Sequence, residues 1–286
     1  MSRVAYVNGR YLRHSEAKVA VEDRGYQFAD GVYEVCEVRG GRLVDESRHM
    51  ARLDRSLREL KIARPMSPSA LGVVLRETIR RNRVRDGIVY LQVTRGTARR
   101  DFPFPAENTR PSLVVTARNN DLERLEQIAA EGVSVITVPD LRWKRVDIKS
   151  VALLPNVLAK QTAREQGARE AWLVDSQGRI TEGSSSNAWI VSRDGKLITH
   201  PLGQDILPGI TRSVVIDMIK SQGLTFEERS FTVEEAYEAR EAFITSASQI
   251  VLPVVSIDGR PVGNGAPGLV TSALRRDYHR YAEIGL

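Results

Sequence analysis

Residues 31–38, GVYEVCEV, alternate between two faces, and Gly40-Gly41 then turns the chain into Arg42-Leu43-Val44. A period of two followed by a double glycine is the signature of a β-hairpin. A shorter alternation at 3–7, RVAYV, runs into a turn at Asn8-Gly9. The period then becomes helical: Met50, Leu53, Leu57 and Leu60 fall on one stripe, with Ser47 placed to cap that helix. A second helix is expected over 70–82, ALGVVLRETIRRN, and strands over 87–95 and 112–117. Between those strands lies GTARRDFPFPAENTRP, residues 96–111, too rich in proline for regular structure. A connection of that length is often a functional loop.

The polar stretch RNNDLER, 118–124, is the natural boundary between two domains, 1–120 and 121–286. Beyond it the pattern predicts a strand at GVSVITV, a helix at NVLAKQTAREQG, and strands at EAWLVD and NAWIVS, with turns at DSQGR and RDGK. A helix over TRSVVIDMIKSQG, further strands and a closing helix complete the chain. The fold class is therefore α+β: a mixed N-terminal domain and a second half that reads as a β-rich barrel or sandwich with helices attached. No internal repeat or low-complexity segment interrupts this order.

Composition narrows the chemistry. The chain has 286 residues, one cysteine (Cys36) and four scattered histidines, so neither a disulfide framework nor a structural zinc site is expected, and no metal is implied. No run approaches the roughly 18 apolar residues of a membrane span, and the N-terminus lacks the apolar core of a signal peptide. The expected compartment is the cytoplasm. A formal charge of +6 raises the question of nucleic acid, but the arginines are interspersed with acids, as in RLDRSLREL, and no basic tail is present. Nucleic-acid binding is not expected; solvated faces and anionic small substrates account for the charge.

Only seven of the 42 basic residues are lysine, which draws the eye to Lys149 in RWKRVDIKSVALLPN. If 143–150 is extended, Arg145, Asp147 and Lys149 share a face. A nearby arginine and burial would then favour the neutral, nucleophilic amine. Read alone, the segment fits a surface lysine at a strand end better. In TEGSSSNAWIV, 181–191, Glu182 ends a strand and three serines follow, without the G-x-S-x-G elbow of a serine nucleophile. A carboxylate there can face a pyridine nitrogen, or simply be a loop acid. LPGITRSVV, 207–215, places Thr211 at a helix start whose free N–H groups can seat a phosphate or merely begin a helix. FITSASQIVLP, 243–253, brings small residues to a strand end at Thr245. An amine, a carboxylate and a phosphate seat are together what pyridoxal phosphate requires.

These motifs carry a resemblance. EDRGYQFADGVYEV (22–35), QVTRGTARR (92–100), DIKS with NVLAKQ (147–161), TEGSSSN and LPGITR occur in order over nearly the whole chain. They resemble the class IV, or fold-type IV, pyridoxal-phosphate aminotransferases, and within them the D-amino acid aminotransferases. The resemblance implies two domains, a smaller α+β N-terminal one and a barrel-like C-terminal one, and a homodimer with the cofactor, pyridoxal 5'-phosphate, between the domains. It places Lys149 as the lysine that holds the cofactor covalently and Glu182 against the pyridine nitrogen. Arg52, Ile210, Thr211, Ser246 and Ala247 fall at the phosphate contacts. Tyr33 and Arg100 match two members of the substrate-carboxylate trap, Arg100 reaching in from the partner subunit. Phe102 stands where D-amino acid enzymes commonly carry a histidine, which implies a looser hold on the carboxylate and a more apolar pocket. The implied reaction moves an amino group between a D-amino acid, such as D-alanine or D-glutamate, and an oxo acid such as 2-oxoglutarate. A branched-chain L-amino acid or (R)-amine transaminase is the alternative, and an aminodeoxychorismate lyase a more distant one. Lys160 is expected to be an ordinary helix residue that tolerates substitution.

Overall fold

The computed structural model describes residues 3–285, and the chain divides into two compact units. The outermost limits of the two expected domains, 1 and 286, lie outside the described residues. One unit takes in the chain up to Asp121, the segment Ile148–Ala152 and the end from Glu283. The other comprises Leu122–Asp147 and Leu153–Ala282. Lys149 is therefore grouped with the first unit, although it lies in the second half of the sequence.

The first unit contains β1 (Val4–Val7), β2 (Arg10–Arg13), α1 (Arg24–Phe28), β3 (Gly31–Arg39), β4 (Arg42–Leu43), α2 (Glu46–Glu59), α3 (Pro68–Arg81), β5 (Gly87–Thr94) and β6 (Ser112–Asn119). Its six strands form an antiparallel sheet in the order β2-β1-β6-β5-β3-β4. The period of two in β3 sends Val32, Cys36 and Val38 into a core with Leu53 and Leu57 of α2 and Leu71, Leu75 and Ile79 of α3. Truncating a fully buried leucine such as Leu75 would cost about 2–5 kcal/mol. The same face of β3 also buries Glu34, a carboxylate among apolar neighbours.

Two local expectations need correction. Ser47 does not cap α2; Asp45 stands at the N-cap with φ 53, and Ser47 lies one residue inside the helix, bonded to Glu283. The chain must reverse sharply out of β4, and aspartate tolerates the left-handed region better than most residues. Nor is 143–150 a strand: the one pairing there is an isolated bridge between Ser150 and Val32. Its alternation comes from charges that pair locally, Arg145 Nε to Asp147 at 3.0 Å, so Arg145 and Asp147 do not form a strand face with Lys149.

The second unit contains α4 (Leu122–Glu131), β7 (Val133–Pro139), α5 (Leu154–Glu165), β8 (Glu170–Val174), β9 (Arg179–Gly183), β10 (Asn187–Val191), β11 (Leu197–Thr199), α6 (Ile210–Ser221), β12 (Phe226–Glu228), β13 (Phe231–Thr232), α7 (Val233–Tyr237), β14 (Glu241–Ser246), β15 (Ile250–Ile257), β16 (Arg260–Pro261) and α8 (Leu269–Asp277). The strands form one mixed sheet, β12-β11-β10-β14-β15-β7-β8-β9-β13, with β16 added to β15. Helix α6 packs Val214, Val215, Met218 and Ile219 against Trp189 and Phe243, whose rings stack at 5.3 Å. Helix α5 lays Ala159 and Ala163 on Ile136, Ala171 and Leu173. The boundary stretch runs into α4, which buries little beyond Ala129. Among the described residues no helix is long and apolar enough to cross a membrane, and no cluster of side chains could hold a metal.

Candidate active site

In the first unit Lys149 is fixed by its backbone. Its carbonyl accepts from Tyr33 N at 3.0 Å, and its N–H donates to Ser56 Oγ at 3.3 Å. The side chain brings Nζ to 4.1 Å from the centre of the Tyr33 ring. The structure thus joins two residues far apart in sequence, the candidate amine and a candidate substrate contact. Residue 34 faces the other way. Glu34 accepts a two-pronged bond from Arg52, Nε at 2.7 Å and Nη2 at 2.7 Å, and meets His49 Nδ1 at 2.8 Å. Burial alone would raise the Glu34 carboxyl, but the Arg52 charge and the bonds from Arg52 and His49 outweigh it and pull it down to about 2. Arg52 is therefore oriented by a permanent anion.

Arg100 and Phe102 sit on the proline-rich loop, both exposed. The Arg100 guanidinium lies 4.7 Å from the Phe28 ring centre, and the Phe102 ring is 5.7 Å from Phe28. The loop is held from below by Arg24, which is buried. Its Nη1 donates to Asp101 O at 2.6 Å, its Nη2 to Phe102 O at 3.3 Å and its Nε to Asp30 at 2.8 Å. Within the unit, these contacts gather the loop around Phe28 of α1.

In the second unit Glu182 occupies the end of β9, 5% exposed. The guanidinium of Arg142 contacts its Oε1, Asn187 Nδ2 donates to Oε2 at 2.8 Å, and Leu207 N approaches both oxygens at 3.1 and 3.2 Å. Arg142 is shared, since Asp140 takes its Nε at 2.9 Å and its Nη2 at 2.7 Å. Burial pushes the Glu182 carboxyl up to about 7; Arg142 and the Leu207 N–H oppose the shift, and Asp140 adds to it. A carboxyl that titrates near neutrality is suited to face a group that itself gains and loses a proton.

The same asparagine ties Glu182 to the start of α6. Asn187 Nδ2 also bonds Leu207 O at 3.0 Å, and a Cβ on Gly209 would lie 2.0 Å from Asn187 Oδ1, so a larger residue there would have to displace the Asn187 side chain. Gly209 caps α6 without a side-chain bond, and Ile210 and Thr211 open its buried first turn. First-turn N–H groups have no partner inside a helix and attract anions. Ser246 and Ala247 follow Thr245, which pairs with Asn187 across β14 and β10, so they emerge beside the same strand end. The donor set fits pyridoxal phosphate unit by unit: an amine beside an aromatic face in one, a carboxyl near neutral pKa and an uncapped helix start in the other.

The sequence model of amino-transferase class IV matches residues 31–257. The chain belongs to the class IV aminotransferases. It is 45% identical to a D-alanine aminotransferase of Bacillus licheniformis over 264 residues, 92% of each chain. It is 39% identical to a D-alanine aminotransferase of Staphylococcus haemolyticus over 279 residues, 97% of each. Among solved structures it superposes on a branched-chain aminotransferase of the archaeon Thermoproteus uzoniensis with norvaline. That match has a TM-score of 0.86 at 27% identity and covers 99% of each chain. The two-unit α+β architecture is the fold-type IV fold of this class.

Sequence reasoning missed Arg142, Asp140, Asn187 and the Glu34–His49 partners of Arg52. Arg142 stands in the very stretch that exposes Lys149, where Arg145 drew the attention. Its partner Glu182 lies 40 residues away, and no local spacing joins them. Glu34 did leave a trace, as the polar residue on the inward face of an otherwise apolar alternation.

Proposed function

We propose that this class IV enzyme transfers an amino group from a D-amino acid, such as D-alanine or D-glutamate, to a 2-oxo acid such as 2-oxoglutarate. It uses pyridoxal 5'-phosphate and works in the cytoplasm as a homodimer. The observation that carries the reading is the 45% identity to a D-alanine aminotransferase over nine-tenths of both chains. When bound, the cofactor supplies an aldehyde that holds an amine and a ring that spreads negative charge. Arg52, Ile210, Thr211, Ser246 and Ala247 hold its phosphate, and Glu182 faces its ring nitrogen. Lys149 is the covalent anchor. Its Nζ, as a free amine, would remove the proton from the substrate Cα and carry it away from that carbon. Glu182 Oε balances the charge at the ring nitrogen, and Arg142 keeps that carboxyl from being neutral throughout the working range. Tyr33 and Arg100 hold the substrate carboxylate, Arg100 acting from the partner subunit, and Phe102 adds apolar surface without a donor.

The test is a set of half-reactions. D-alanine, L-leucine, D-glutamate and (R)-phenylethylamine are added separately to cofactor-loaded enzyme, and the loss of the visible absorbance is timed. D-alanine and D-glutamate should react fastest; faster reaction with L-leucine would replace this reading with a branched-chain L-amino acid enzyme. Borohydride reduction and peptide mapping should place the label on Lys149, and label on Lys144 or Lys160 would overturn that assignment.

A further inference from the structure

Three successive serines next to a carboxylate invite the idea of a nucleophile, but each hydroxyl is engaged elsewhere. Glu170, the first residue of β8 and 1% exposed, accepts all three. Ser184 Oγ donates to its Oε1, while Ser185 Oγ and Ser186 Oγ reach its Oε2 at 2.7 and 3.2 Å. The Ala171 N–H fills Oε1 at 2.9 Å, and Lys160 Nζ stands 3.1 Å from Oε2. A carboxylate has about four acceptor positions, so Glu170 is saturated. The backbone of the turn is pinned as well: Asn156 Nδ2 donates to Ser184 O at 2.8 Å, and Ser184 N to Ala171 O at 2.8 Å.

The turn so held, 183–186, lies between Glu182 and Asn187, whose side chains bond each other at 2.8 Å. We propose that Glu170 is a positioning residue: by gathering the three serines, it fixes the turn that sets Glu182 and Asn187 against each other. Lys160 supplies the counter-charge and Asn156 a second anchor, so Lys160 is not the indifferent helix residue its sequence context implies. Two anchors come from one helix, α5, and the third from the strand beneath it. The proposal rests on the reading of Glu182 as the partner of the cofactor's ring nitrogen.

The experiment compares Glu170→Gln and Ser185→Ala/Ser186→Ala with the unaltered full-length protein as purified. In both variants the amides of 183–187 should exchange with deuterium about tenfold faster or more, while β15 keeps its protection. The kcat for D-alanine, per bound cofactor, should fall by about tenfold or more in Glu170→Gln, with KM within about twofold, because a displaced group costs rate more than binding. Glu170→Asp, which keeps the charge, should recover part of the loss. Unchanged exchange at 183–187 in both variants, or faster exchange with unchanged kcat, would overturn the proposal. A Glu182→Gln arm separates the two ideas. If Glu182→Gln is impaired and Glu170→Gln is not, the positioning role falls alone. If Glu182→Gln turns over normally, the assignment of Glu182 falls, and the positioning role falls with it.

Discussion

Glu34 on β3 and Glu182 on β9 are both buried carboxyls facing an arginine, and they end with opposite acidities. Burial is the largest influence on each and raises both. At Glu34 the arginine is bidentate and the buried His49 adds a third bond, so the pairing wins and the group falls to about 2. At Glu182 the arginine gives one contact and spends its bidentate edge on Asp140, whose charge also repels Glu182; burial wins, and the group rises to about 7. The difference lies in how much of the guanidinium each carboxylate receives. An arginine that gives a carboxylate its bidentate edge makes a permanent anion, useful as a fixture. An arginine that turns that edge to another acid leaves a carboxyl that titrates near neutrality.

The largest expected effect comes from removing the responsive carboxyl. Glu182→Gln should lower kcat by about 10²–10⁴-fold, the range for positioned proton-handling groups. Steady-state rates with D-alanine check it, and near-normal turnover would mean that another group balances the ring nitrogen. Next comes the fixture. Arg52→Ala strands a buried carboxylate and should destabilise the protein by about 3–5 kcal/mol, read from urea unfolding of cofactor-free protein. A loss below about 1 kcal/mol would show that Glu34 simply takes up a proton. Arg52→Lys, which keeps the charge, is the better variant for weighing the proposed contact to phosphate.

Much of this comparison was legible in part. Strand alternation revealed β3, β5 and β6, and the helical stripe revealed α2 and α3. Motif order carried Lys149, Glu182 and Thr211 through the resemblance. The partners were not legible, because each joins elements distant in sequence: Arg142 with Glu182, Glu34 with Arg52, Glu170 with the serine run. Ser47 and the supposed strand at 143–150 failed for a related reason. Local pattern reports propensity, while the turn out of β4 and the Arg145–Asp147 pair decided those positions. Phe102 was legible as a departure, yet its ring against Phe28 and the buried Arg24 beneath its loop were not.

The two carboxyls should also give stability opposite pH dependences. Glu34, lowered from an unfolded value near 4.5, contributes stability that is fully present above about pH 4.5 and lost as pH falls through about 2. Glu182, raised from the same starting point, contributes stability that is fully present below about pH 4.5 and lost as pH rises through about 7. A displacement of this size corresponds to at most about 3.5 kcal/mol for each group. Urea unfolding of the cofactor-free protein between pH 4.5 and 8, minus the same curve for Glu182→Gln, should therefore slope downward. A flat difference would mean that Arg142 keeps Glu182 ionised in the folded protein as it is in the unfolded one.

The smallest effect tests the cause directly. Asp140 acts on Glu182 in two ways, by its own negative charge and by occupying the Nε and Nη2 edge of Arg142. Asp140→Asn removes the charge and weakens the competing bonds, while the amide keeps the size of the side chain and can still accept from Arg142. Both changes favour ionised Glu182, so its pKa should fall toward its ordinary value. Asp140 is a minor cause beside burial, so the midpoint of the pH-dependent stability difference should move down by about one unit or less. The comparison is made between Asp140→Asn and Asp140→Asn/Glu182→Gln, which cancels any other consequence of the altered aspartate. An upward move, or none, would leave burial alone to separate Glu182 from Glu34, and the sharing of Arg142 would lose its part in the explanation.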